Sequence, residues 1–121
     1  MSRFLLLVVC LLALGAAEPA RAHSTFVRSE PANGATLKRA PDEIRIWFTE
    51  PIKVGLSTIE VRDAAGKQID QRDLRADKKD PALVHLSLTA GLKPGSYRVS
   101  WSAVAQDLHV SKGSFSFRVA F

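Results

Sequence analysis

The chain has 121 residues, of which 17 are Lys or Arg, 12 are Asp or Glu and 46% are apolar, with a single cysteine and a single methionine. That length allows one domain with a core large enough to fold unaided. The charges are mixed in sign and lack the basic stripe with interleaved aromatics that nucleic acids require, so no nucleic-acid partner is expected.

Residues 1–22 read as a secretory signal. Arg3 supplies a positive n-region, Phe4 to Leu14 an apolar h-region, and Ala20-Arg21-Ala22 a small-residue cleavage site. The alternative for this stretch is an anchoring or buried helix, but the apolar run is short for either. After it, apolar residues come in short alternating runs, never the ~20 in succession that span a bilayer, so no membrane insertion is expected after cleavage. Cleavage would leave a domain over residues 23–121 that begins with His23. Arg3, Glu18 and Arg21 would leave with the signal, so 15 basic and 11 acidic side chains would remain. Cys10 would leave too, and any metal would then have to be held by nitrogen and oxygen.

Ser24 to Ser29 reads as a first short strand, closed by the turn residues Pro31-Ala32-Asn33-Gly34. Glu43 to Thr49 alternates, with Ile44, Ile46 and Phe48 on one face and Trp47 on the other, where a sheet edge or a ligand loop would half-cover it. Pro51 ends that strand. Ser57 to Asp63 places Ile59 and Val61 inward, and Asp63 to Lys67 reads as a hairpin turn into Gln68 and Ile69. Residues 70–80 are densely charged and read as a solvated loop or short edge strand. In Ala82 to Leu88, Val84, Leu86 and Leu88 share a face, which puts His85 on the opposite one as a surface histidine. Lys93-Pro94-Gly95-Ser96 has the residues of a type II turn and leads into a strand through Tyr97, Val99 and Trp101. The last strand carries Phe115, Phe117, Val119 and Phe121 on one side. About seven short strands and no helical pattern predict an all-β fold, an Ig-like β-sandwich or small Greek-key β-barrel whose core joins the Ile44, Ile59, Leu86, Val99 and Phe117 faces.

Between the last two strands lie Asp107 and His109. With His23 they form a candidate metal set, joining the new N-terminus to the last hairpin. A free N-terminal histidine can chelate through its α-amine and its imidazole Nδ1, and an α-amine, with an unperturbed pKa of about 7.7–8.0, gives up its proton at modest cost. Three nitrogens with a carboxylate oxygen make a tetragonal N,O set that suits Cu(II), whereas zinc prefers a tetrahedron. The same residues also read as an Asx-turn aspartate, a surface histidine, and a histidine that merely stands where the signal ends.

Several separated motifs resemble the CopC-type periplasmic copper-resistance proteins. They are His23-Ser24-Thr25-Phe26, Ser29-Glu30-Pro31-Ala32-Asn33-Gly34-Ala35, Ala40-Pro41, Ile46-Trp47-Phe48-Thr49-Glu50-Pro51, Gly95 to Trp101, Asp107-Leu108-His109 and Gly113 to Phe117, in order along the whole domain. The resemblance implies a monomeric periplasmic protein that binds one Cu(II) through His23, Asp107 and His109, and buffers copper or delivers it to an inner-membrane copper transporter. It matches Glu50 to a strand-end glutamate near the site, with Thr49 in place of the family's serine. Two departures stand out. Members that also bind Cu(I) use a methionine-rich loop, whereas this chain has only Met1, so no Cu(I) methionine site is expected. Leu108 stands where glycine or threonine is usual. No enzyme activity is implied; the alternatives are a copper-dependent monooxygenase with a similar histidine brace and a metal-free Ig-like interaction module.

Overall fold

The computed structural model describes residues 24–121; residues 1–22, read as a signal, and His23 lie outside the described residues. Eight strands follow in chain order: β1 (Phe26–Glu30), β2 (Thr36–Leu37), β3 (Glu43–Phe48), β4 (Thr58–Asp63), β5 (Arg75–Ala76), β6 (Leu83–Ser87), β7 (Gly95–Val104) and β8 (Val110–Val119). Among the described residues the only helical element is a 3-10 turn at Val54–Leu56, and no helix is long and apolar enough to cross a membrane. The strands form two four-stranded sheets, in the orders β1-β3-β6-β5 and β2-β8-β7-β4. The expected all-β sandwich is therefore present. Its strands number eight against about seven expected, and β2, at two residues, is too short to show a period of two.

Alternation built the core as expected. Ile44, Ile46 and Phe48 of β3, Ile59 and Val61 of β4, Val84 and Leu86 of β6, Tyr97 and Val99 of β7, and Phe115, Phe117 and Val119 of β8 are all buried in one cluster. Register keeps these faces together: Ile46 pairs with Val84, and Val61 with Val99, which pairs in turn with Phe115. Each such aliphatic side chain contributes roughly 1.5–3 kcal/mol by leaving water. Phe121 departs from the pattern. The strand stops at Val119, and Phe121 is 72% exposed because nothing across the sandwich remains to cover it.

Three other local expectations are corrected. Gly95 has φ +148 and already belongs to β7, so residues 93–96 are not a type II turn, which would need φ near +80 at that glycine. On Trp47, where the second sheet's edge or a ligand loop was expected, lies the Arg28 guanidinium of β1, the edge strand of its own sheet, 3.5 Å from the ring centroid in a cation–π contact. In the charged segment, Arg75–Ala76 is indeed a short edge strand, but Asp70 is buried. Its carboxylate accepts hydrogen bonds from the Val61 N–H (2.9 Å) and the Arg72 N–H (2.9 Å), which ties the segment to β4.

The buried Tyr97 donates its hydroxyl proton to the Lys93 carbonyl four residues upstream, the arrangement of a tyrosine corner in Ig-like sandwiches. Burial pushes the Tyr97 phenol up from its ordinary range, and the nearby Asp63 charge adds to the shift. At the opposite end of β7 the hairpin with β8 closes over residues 105–109, and that end carries the candidate site.

Candidate metal centre

The β7–β8 ladder runs unbroken from Gly95↔Val119 to Val104↔Val110. Beyond it the Ala105 N–H donates to the His109 carbonyl (2.9 Å) and the Leu108 N–H to the Ala105 carbonyl (2.9 Å). These bonds leave Gln106, Asp107 and Leu108 as a three-residue hairpin loop whose last residue is left-handed, with φ +69 at Leu108. A Cβ is disfavoured in that conformation. The Leu108 side chain is 63% exposed, so packing does little to offset the strain.

The loop brings Asp107 and His109 together. One carboxylate oxygen, Oδ1, accepts the His109 backbone N–H at 3.1 Å, and the other, Oδ2, lies 2.8 Å from His109 Nδ1. The Asx-turn reading of Asp107 is met by this geometry. An ionised carboxylate can only accept, so Nδ1 carries the proton and the imidazole lone pair belongs to Nε2. A carboxylate that holds Nδ1–H in this way orients the ring for metal binding through the other nitrogen. The His109 side chain is 61% exposed, so an ion would reach it from solvent.

The first described residues run against the same hairpin. The Ser24 hydroxyl donates to the Glu50 carbonyl (2.6 Å), and the Ser24 carbonyl accepts from the Ser111 hydroxyl (3.1 Å). Thr25 N–H donates to Thr49 Oγ1 (3.0 Å), and Thr49 N–H to the Thr25 carbonyl (2.8 Å), so the β1–β3 pairing continues past the last strand residue. Phe26 then stacks on Trp101, with centroids 4.9 Å apart and planes at 20°, and leans on Phe115 at 5.9 Å. Trp101 can lie there because its cross-strand partner is Gly113, where a Cβ would collide with the indole ring.

Of the residues singled out in the sequence, Asp107 and His109 share the loop, whereas His23 lies outside the described residues. Glu50 is exposed and meets the N-terminal segment through its backbone carbonyl. His85 is not part of this end. It lies on the outer face of the first sheet between Glu43 Oε2 (3.2 Å) and Asp77 Oδ1 (2.8 Å), more covered than a surface histidine. Among the described residues no group of three or more His, Cys, Asp or Glu could hold a metal, so Asp107 and His109 would need a further ligand. Ser24 and Gly113 stand in the sequence only as members of the family motifs, with no role of their own, and Ser111, a single serine two residues after His109, carries no pattern.

Residues 26–120 match the CopC domain family. The chain is 34% identical over 117 residues to copper resistance protein C of Xanthomonas campestris pv. juglandis, covering 93% of this chain and 91% of that protein. It is 31% identical over 98 residues to copper transport protein CutJ of Bacillus subtilis strain 168, covering 81% of this chain but spanning only 18% of that much longer relative. The crystal structure of PcoC, a methionine-rich copper resistance protein from Escherichia coli, superposes with a TM-score of 0.72 at 25% identity, covering 82% of this chain and 100% of that one. The chain belongs to the CopC family, whose members are copper-binding resistance proteins and not enzymes.

Proposed function

We propose that this protein binds one Cu(II) in the periplasm through the His23 amine and imidazole, Asp107 and His109, and that it buffers the ion or passes it to a copper transporter in the inner membrane. The observation that carries this reading is the tie between the hairpin and the N-terminal segment. Ser111, two residues after His109, holds the carbonyl of Ser24, the residue that follows His23. Consecutive Cα atoms are about 3.8 Å apart, so a ligand at position 23 has only a short reach to Asp107 and His109. The donor set supports copper in its oxidised state. Imidazole, amine and carboxylate suit Cu(II), whereas Cu(I) selects the soft sulfur ligands that this chain lacks beyond Met1 and Cys10, both in the segment read as a signal.

The test is a Cu(II) titration of protein whose N-terminus is confirmed as His23 by mass, followed by electron paramagnetic resonance. Stoichiometric uptake with a type 2 spectrum and about three nitrogen couplings is expected from the amine and two imidazoles. His23→Ala, His109→Ala, and a form with one extra residue before His23 should each lose that spectrum and bind orders of magnitude more weakly. Equal affinity in the extended form would show that the amine is not a ligand.

A further inference from the structure

We infer that Ser111 and Ser24 are positioning residues for the copper site, setting where the N-terminal ligand stands relative to His109 without themselves binding metal. The inference rests on the proposed His23, Asp107 and His109 site.

A chelate formed by the amine and imidazole of one residue holds its own two nitrogens in place. It does nothing to bring that residue to a second histidine more than eighty positions away. That task falls to whatever holds the neighbouring backbone, and Ser24 is held from two directions. Its hydroxyl is tied to residue 50 just past β3, on the first sheet, and its carbonyl to Ser111 of β8, on the second. Ser24 is only 3% exposed although it is the first described residue, so water is a poor substitute for either bond. With the Ser24 carbonyl anchored, the backbone torsions of Ser24 and the ψ of His23 are the soft coordinates left between that anchor and the amine.

Ser111 belongs to the same hairpin as the other ligands. Val104↔Val110 and Ala103↔Ser111 are the last two pairs of the ladder before the Asp107 and His109 loop. The Ser111 hydroxyl therefore hydrogen-bonds the N-terminal arm to the element bearing both remaining ligands. The neighbouring contacts hold the rest of the arm: Thr25 on Thr49, and Phe26 on Trp101. The Thr25 N–H shares the planar peptide unit of the Ser24 carbonyl, so Thr49 holds that unit from the first sheet and Ser111 is the hydrogen-bond partner that ties it to the ligand-bearing hairpin.

The decisive comparison is Ser111→Thr with Ser111→Val. The two side chains have nearly the same shape and both suit a strand, but only threonine keeps the hydroxyl. Cu(II) affinity by competition titration, the dissociation rate and the paramagnetic resonance spectrum would be measured for both, for wild type and for His23→Ala. Ser111→Thr should match wild type. Ser111→Val should bind about tenfold more weakly, as expected for one lost hydrogen bond that leaves a buried acceptor unpaired, with faster release and altered copper hyperfine splitting. Ser111→Ala supplies a second hydroxyl-free side chain if valine perturbs the fold by circular dichroism. Wild-type affinity and spectrum in the hydroxyl-free variants, with binding still lost in His23→Ala, would overturn the positioning role and leave the site intact. A wild-type protein that binds no Cu(II), or binds it no better than His23→Ala, would overturn the site and the positioning role together.

Discussion

Gly113 offers the sharpest test of how the N-terminal arm is held. Its φ is not in the left-handed region, so the backbone would accept any residue; only the space above it forbids one. A Cβ built there stands 2.9 Å from Trp101 Cε2 and closer still to Cζ2 and Cη2, whereas carbon atoms in contact keep about 3.5–4.0 Å. The indole cannot simply tilt away, because Phe26 is stacked on it at 4.9 Å and Phe115 lies at 6.2 Å. Gly113→Ala should therefore force the ring out of place and cost about 1–3 kcal/mol, the usual range for overpacking. For a domain of this size each kcal/mol lowers Tm by roughly 4–8 °C, so a fall of at least ~4 °C is expected. Urea unfolding followed by tryptophan fluorescence, with near-ultraviolet circular dichroism, would read both the stability loss and the displaced indole. Because Phe26 is only two residues from Ser24, Cu(II) should also dissociate faster from the variant. Unchanged stability and an unchanged near-ultraviolet spectrum would refute the account of Gly113 as the seat of Trp101.

Leu108→Gly should relieve the left-handed strain at φ +69, worth about 1–2 kcal/mol for a residue with a Cβ, while adding about 0.5–1 kcal/mol of unfolded-state entropy. A neutral to modestly stabilising change in the urea midpoint is expected, and a clear loss would mean that the exposed leucine makes a contact that matters. Acid should act on the first sheet. The Asp80 N–H, the His85 side chain and the Lys79 N–H hold the Asp77 carboxyl down at about 2. For Glu43, burial works to raise the carboxyl, but the hydrogen bond from Arg45 and the charge of His85 outweigh it and leave it below its usual value. Depressed carboxyls bind fewer protons folded than unfolded, so their stabilisation is complete above the unfolded value near 4 and is lost as pH falls toward about 2. Urea midpoints between pH 6 and pH 2 should show that loss, with a shallower acid limb in Asp77→Asn; parallel limbs would exclude Asp77 as a source.

Much of this molecule was legible in one dimension because a strand has a period of two and one face of each sheet must be dry. That rule alone placed Ile44, Val61, Leu86, Val99 and Phe117 in one core, and it put the Asp107 and His109 loop between the two longest strands. Where the rule has no purchase, sequence reading failed. A two-residue strand such as β2 has no period. The burial of Asp70 depends on which backbone donors, Val61 N–H and Arg72 N–H, the fold happens to bring to it. His85 was correctly assigned to the outer face, but its cover by Glu43 and Asp77 comes from strands and loops distant in the chain.

The chemistry of the proposed ligands, nitrogen and oxygen rather than sulfur, follows from residue type, and the expectation of copper from that donor set together with the resemblance to the CopC family. What only the tertiary structure decided is how those residues are held: the Asp107 carboxylate on His109 Nδ1, Ser24 bridged between the Glu50 carbonyl and the Ser111 hydroxyl, and Trp101 seated over Gly113. Residue identity limits which atoms can donate or accept, but meeting at hydrogen-bond distance across 26 or 87 positions of chain depends on sheet register and on two sheets closing around a common core.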